Sequence, residues 1–143
     1  MAEEQNKRKA QSHSFNPTIF REYDIRGVVG QTLFAEDAYY IGRAFAAKII
    51  ASGKPGPVCI GRDGRMSSPD MANAVCEGLL DSGIDVRDIG LGPTPMLYYT
   101  AYTQQCAGGV MITGSHNPPD HNGFKFVFHN KAFYGEAIQS LRQ

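Results

Sequence analysis

Residues 113–125 place a hydroxyl, an imidazole and an ammonium within one short stretch: Thr113-Gly114-Ser115-His116-Asn117-Pro118-Pro119, then Asn122-Gly123-Phe124-Lys125. Two consecutive prolines remove two backbone donors and fix two φ angles, so this loop is stiff. A serine nucleophile needs a base nearby. His116 follows Ser115 directly, a poor spacing for a base contact along an extended chain, and the stretch lacks the glycine pattern of a hydrolase elbow. A phosphorylated serine poses a different problem. It brings about −1.5 to −2 charges and three acceptor oxygens, and it wants cations and backbone N–H groups around it. Gly114 lets backbone approach closely, and Lys125 can supply charge. On local composition alone, however, Gly-Ser-His-Asn-Pro is also good composition for a plain turn.

The elements around this stretch must hold it in place. Val110-Met111-Ile112, between Gly108-Gly109 and Gly114, reads as a buried strand. Phe124 to Phe128 is a second apolar run, so the unit is strand, rigid loop, strand. Upstream, Ala38, Ile41, Phe45 and Ile49 recur at three and four and predict a helix over 36–52, capped by Gly53 and stopped by Pro55. Val58-Cys59-Ile60 predicts a short buried strand, followed by the loop Gly61-Arg62-Asp63-Gly64-Arg65. Ser68, Pro69 and Asp70 suit an N-cap, a first helical residue and a first-turn acid. Met71, Ala72, Val75, Cys76, Leu79 and Leu80 form the apolar face of that helix, which ends at Gly83. A second strand spans Val86 to Ile89. Gly90 to Pro95 then turns into a helix with Thr94 as N-cap, whose Tyr98, Tyr99 and Tyr102 are expected to pack in the core. Helices alternating with all-apolar strands predict an α/β layer structure.

Fourteen basic residues balance fourteen acidic ones, so no polyanion-binding footprint is visible. The N-terminal residues have no apolar core, and no run approaches membrane-spanning length. Neither nucleic acid nor membrane is therefore an expected partner. Cys59, Cys76 and Cys106 are odd in number and scattered among apolar residues, which suggests buried thiols in a reducing compartment. His116, His121 and His129 match no zinc spacing. Gly90-Leu91-Gly92 fails as a dinucleotide loop, because Pro95 stands where the third glycine is needed. Residues 1–13 read as a disordered tail, and residues 14–143 as one domain.

Four segments carry a family resemblance. Thr113-Gly114-Ser115-His116-Asn117-Pro118 with Asn122-Gly123-Phe124-Lys125 resembles the active-site loop of the α-D-phosphohexomutases, the phosphomannomutase/phosphoglucomutase group. Tyr23-Asp24-Ile25-Arg26-Gly27 resembles that family's N-terminal signature. Gly61-Arg62-Asp63-Gly64-Arg65 resembles its Gly-Arg-Asp-x-Arg segment, and Gly90 to Pro95 its Gly-x-x-Pro-Thr-Pro turn. For Arg62 and Asp63 in this loop, internal hydrogen bonds that tie the loop down and contact with a ligand weigh evenly as roles.

The resemblance covers about Phe20 to the C-terminus and the first of the family's four domains. It implies a three-layer α/β/α domain with a mixed, mostly parallel sheet, cut in its last helix, which begins at Gly135. It further implies that Ser115 carries the transferred phosphoryl group between hexose 1-phosphate and 6-phosphate, with a hexose 1,6-bisphosphate as intermediate and activator. Arg26 and Lys125 would be the other catalytic residues; Tyr23, His116 and Asn117 would contact substrate or phosphate. Magnesium would bind Ser115 through its phosphate, its other ligands lying outside the chain. The expected partners are a phosphosugar and the missing domains of the same enzyme, the expected location is cytoplasmic, and the isolated chain is expected to be inactive. A phosphoglucosamine mutase domain and a non-catalytic docking domain are the alternatives. The family pattern has Ala or Gly where Gly114 stands and Phe or Ile where Phe124 stands, and the Gly and Phe found here lean towards the mannose/glucose branch.

Overall fold

The computed structural model describes residues 13–114, 117–129, 131–133 and 135–142. Six strands form one sheet: β1 (Ile25–Val28), β2 (Val58–Arg62), β3 (Val86–Leu91), β4 (Gly108–Ile112), β5 (His121–Phe128) and β6 (Lys131–Ala132). The order is β1-β5-β4-β2-β3, with β6 pairing the far end of β5. β2 pairs in parallel with β3 and β4, while β5 pairs antiparallel with β4, β1 and β6. Five strands thus share one direction and β5 alone runs against them. The sheet is mixed and mostly parallel, as predicted.

The chain order dictates the layers. β2 connects to β3 through α2 (Ser68–Asp81), moving one way across the sheet; β3 connects to β4 through α3 (Thr94–Thr103), moving back. Right-handed crossovers in opposite directions put their helices on opposite faces. The packing agrees. α2 lies beside α1 (Ala35–Ala51) over Val58, Ile60, Val110, Ile112, Phe124 and Phe126, whereas α3 brings Leu97 and Ala101 against Cys59 and Met111 on the other face. This is the period-two alternation of strands buried on both sides.

α1 and α2 meet almost backbone to backbone. A Cβ on Gly78 would stand 2.1 Å from the Tyr39 carbonyl oxygen, and one on Gly42 would stand 2.4 Å from that of Val75. The predicted stripe of Ala38, Ile41, Phe45 and Ile49 is fully buried, and Gly53 and Gly83 end the two helices at positive φ.

Several expectations need correction. Tyr99 and Tyr102 are 70% and 71% exposed, and Tyr98 is exposed as well, because α3 is a single helix on its face and turns only Leu97 and Ala101 inward. Leu80 is exposed on the outer side of α2, and Cys76 is only half-buried. Helix α2 begins one residue early, with Ser67 at the N-cap, because the Ser68 hydroxyl is turned to Asp63. β3 continues through Gly90-Leu91, which the sequence places in a turn. α3 starts at Thr94, with Pro93 before it. The final helix is a short turn, α4 (Glu136–Gln139), continued as a 3-10 turn over Ser140–Arg142. At the other end the description begins at His13, which pairs with Asp37 at 2.7 Å and stacks on Tyr40. The rest of the predicted tail lies outside the described residues. Among the described residues no helix is long and apolar enough to cross a membrane.

Candidate active site

The site is built from two adjacent loops at the carboxyl ends of parallel neighbours. β2 and β4 run side by side from Val58↔Gly108 to Arg62↔Ile112, so the residues that follow them emerge together. The Asp63 N–H donates to the Ile112 carbonyl at 2.9 Å, and the Thr113 N–H donates to the Gly123 carbonyl at 3.0 Å. Strand pairing on both sides of β4 thus fixes where the Ser115 loop begins.

Ser115 and His116 lie outside the described residues. Their neighbours on both sides are described, and both are held. The Gly114 N–H donates to Asp63 Oδ2 at 2.9 Å. The Gly114 carbonyl accepts from Arg26 Nη1, from the Asn117 N–H at 3.1 Å and from Asn117 Nδ2 at 3.1 Å. The Asn117 carbonyl accepts from Arg65 Nη2 at 2.7 Å. Arg65 Nη1 donates to the carbonyls of Pro118 at 2.5 Å and His121 at 3.1 Å. The carbonyls of Gly114, Asn117, Pro118 and His121 are therefore gathered on two guanidinium groups.

Asp63 completes the frame. Its Oδ1 accepts from the Arg65 N–H at 3.2 Å and from the Ser68 hydroxyl at 2.5 Å, and its Oδ2 accepts from Arg65 Nε at 3.2 Å. Burial works against its charge, but the Ser68 hydroxyl, the Gly114 and Arg65 N–H groups and the Thr113 hydroxyl outweigh it and hold the carboxyl below its ordinary pKa. Buried Asn122 adds a second tie: its Nδ2 donates to the Ser67 and Ser68 hydroxyls at 2.8 and 3.1 Å.

Arg26 and Lys125 are brought to one side by register. Arg26 pairs with Gly123 and Lys125 with Met111, and residues 123 and 125 share a face of β5. Both cations therefore project from the α3 side of the sheet, beyond the strip of β2 and β4 that α3 covers. Gly123 makes room for the edge strand, since a Cβ there would stand 2.0 Å from the Ile25 carbonyl oxygen. Arg26 is only 4% exposed and gives Nε and Nη2 to Asp24 Oδ2 at 3.2 and 2.6 Å. Lys125 is half-buried and has no hydrogen-bond or ion-pair partner among the described residues. Tyr23 stands at the same edge, 72% exposed. Asn117 uses its amide and its backbone on the loop itself and on Arg65.

Of residues 61–65, Asp63 ties the loop down and Arg65, which the sequence reading left without a role, does most of the gathering. The signal was an Asp two residues before an Arg in a post-strand loop. It carries no message about partners, because Arg65 meets carbonyls 52 to 56 residues further on. Among the described residues no group of three or more His, Cys, Asp or Glu side chains could hold a metal ion. Asp63 is engaged by Ser68, Arg65 and Gly114, and Asp24 by Arg26, so these carboxylates do not fit a magnesium site.

Residues 17–141 match the family model described as phosphoglucomutase/phosphomannomutase, alpha/beta/alpha domain I. A Pseudomonas aeruginosa protein named phosphomannomutase/phosphoglucomutase is 51% identical over 134 residues, which is 94% of this chain and 29% of that protein. A Neisseria gonorrhoeae phosphoglucomutase is 51% identical over 90% of this chain and 28% of its own length. A crystal structure of a phosphoglucomutase/phosphomannomutase family protein from Burkholderia thailandensis superposes with a TM-score of 0.83 at 44% identity, over 89% of this chain and 29% of that one. The chain thus spans less than a third of the length of these relatives. With the α/β/α layers and the framed loop after β4, the match places this chain in the phosphoglucomutase/phosphomannomutase family, as its alpha/beta/alpha domain I.

Proposed function

We propose that the chain is the phosphoserine-bearing domain of a phosphohexomutase, which moves a phosphoryl group between the 1- and 6-positions of a hexose phosphate. The observation that supports it best is the framing of the Ser115 loop. Gly114 and Asn117 are fixed on either side of Ser115-His116, after the strand that pairs with β5, and Lys125 of β5 and Arg26 of β1 project from one face of the sheet. Phosphoryl transfer depends mainly on positioning and on cations near the moving group, and a stiff loop beside two cations meets that need.

In this reading the O–P bond of phospho-Ser115 breaks as a sugar hydroxyl forms its own bond to phosphorus; the hydroxyl gives up its proton, the departing Ser115 oxygen gains one, and a hexose 1,6-bisphosphate results. The sugar then turns over and returns its other phosphate to Ser115. Lys125 lends charge to the transferring group. Arg26 lends charge at the loop while holding the Gly114 carbonyl. Tyr23, His116 and Asn117 contact the phosphosugar or its phosphate. Magnesium would be held at the phosphoserine and would supply further charge neutralisation, with its carboxylates provided from outside the described residues, which offer no group of three or more His, Cys, Asp or Glu to hold it. The enzyme works in the reducing cytoplasm, a reading supported by three free cysteines. The isolated chain is inactive, since the remaining domains must close over the site.

The test uses the full-length enzyme with magnesium and a hexose 1,6-bisphosphate donor. Radiolabel from the donor should map to Ser115, and Ser115→Ala should lose nearly all turnover. Lys125→Met, which keeps the stem and removes the charge, should lower turnover by orders of magnitude and leave the melting temperature nearly unchanged. Label on another residue, or wild-type turnover in Ser115→Ala, would refute the reading.

A further inference from the structure

We infer that Asp63 and Arg65 are positioning residues: together they fix the backbone on both sides of Ser115, and so set the geometry from which its phosphoryl group is transferred. The inference rests on the function proposed above and adds to it a pair of residues from a different loop.

The geometry argues for positioning over simple anchoring. One carboxylate oxygen of Asp63 takes the Gly114 N–H, immediately before Ser115. The same oxygen takes Arg65 Nε, so the two side chains act as one unit. Arg65 then reaches past the unit to the carbonyls of Asn117, Pro118 and His121, immediately after His116. The bridge therefore links Gly114 to Asn117, Pro118 and His121, and both of its ends are backbone groups. Its base is rigid. The Asp63 N–H is held by β4, its Oδ1 takes the Ser68 hydroxyl at the start of α2, and Ser68 is fully buried and tied to Asn122.

Gly114 provides an independent sign of the same design. A Cβ built on it would stand 2.0 Å from Arg65 Nε and 2.1 Å from Cζ, so the guanidinium occupies the space that a side chain at Gly114 would need. The head of an arginine could ordinarily swing away from a methyl group. Here it would have to give up Asp63 and three carbonyls. The planar fork suits this work, because several donors in one plane can collect several carbonyls at fixed angles, which an ammonium on a flexible stem cannot. A displacement of about 1 Å in a reacting group costs on the order of a hundredfold in rate.

The experiment compares wild type, Arg65→Met, Arg65→Lys, Asp63→Asn and Gly114→Ala in the full-length enzyme. Three readouts are used: steady-state kinetics, thermal melting, and amide hydrogen exchange of the peptide spanning 113–121. We expect kcat to fall roughly a hundredfold in Arg65→Met and Gly114→Ala, with KM changed less than about threefold. Arg65→Lys should fail to rescue. Exchange at Gly114 and Asn117 should quicken in every variant while the rest of the domain stays protected. Adding Arg65→Met to Gly114→Ala should cost little more, because the methyl already displaces the guanidinium. Three outcomes would overturn the inference: variants that fold with wild-type kcat, full rescue by lysine, or failure of all four variants to fold. If wild type itself shows no mutase turnover, the proposed function fails, and the exchange data still decide whether the pair fixes the loop.

Discussion

The two faces of the sheet differ in how they are covered. On one, α1 and α2 lie side by side over six inward residues of β2, β4 and β5, with Phe45 against Phe126 and Phe133 at ring separations of 5.1 and 5.7 Å. On the other, a single helix buries Leu97 and Ala101 against Cys59 and Met111, joined by Cys106 from the connection that follows the helix. Beyond that strip, the same face of β5 and β1 presents Lys125 and Arg26. The thick face holds the domain together. The thin face leaves part of the sheet without a covering helix and turns its tyrosines outward. Both follow from one alternating pattern, because each strand must supply a core residue and its opposite neighbour at once.

The largest effect that would test this contrast is loss of packing on the thick face. Phe45→Ala should destabilise the domain by about 3–5 kcal/mol in urea unfolding, the range for a buried aromatic ring. Leu97→Ala on the thin face should cost about 2–3 kcal/mol, near the low end for its type, because one exposed helix can settle into the gap. Equal costs would mean that the thin face bears as much of the fold as the thick one.

A smaller, pH-dependent effect belongs to the seam between the two loops. The folded Asp63 carboxyl titrates below its ordinary value of 3.8, so its hydrogen bonds stabilise the fold fully above the unfolded pKa. That stabilisation is lost as pH falls through the lower, folded pKa. Urea unfolding of wild type and Asp63→Asn should show a stability gap at pH 6 that narrows below about pH 4. A gap that stays constant down to acid pH would show that the carboxylate charge contributes nothing there. The smallest effect is expected at the outer surface of α3, where Tyr102→Ser should change stability by no more than about 0.5 kcal/mol. A larger loss would mean that the thin face is packed more deeply than its exposure indicates.

The sheet-forming segments were legible before any coordinates. Val58 to Ile60 and Val110 to Ile112 are short apolar runs punctuated by glycines, Phe124 to Phe128 is a mostly apolar run released by Gly123, and such runs have few alternatives to a buried strand. The stripe of α1 was equally clear, because spacing at three and four defines one side of a helix whatever it packs on. The same reasoning failed at Tyr98, Tyr99 and Tyr102. Spacing puts aromatic residues on a side, but it does not say whether a second layer exists to cover that side.

Site chemistry divides in the same way. The sequence by itself determined which groups are available: Ser115 in a proline-stiffened loop, Lys125 in the apolar run that follows it, and Arg26 in a separate N-terminal motif. Only the tertiary structure decided that β1 pairs with β5 in the register that puts both cations on one face, and that the loop after β2 lies against the loop after β4. The role of Arg65 was decided there too. Its acceptors are backbone carbonyls, which every residue carries, and their distance along the chain leaves no pattern to read. A hydrogen bond to a carbonyl is specified by where the fold puts that carbonyl, not by the side chain beside it.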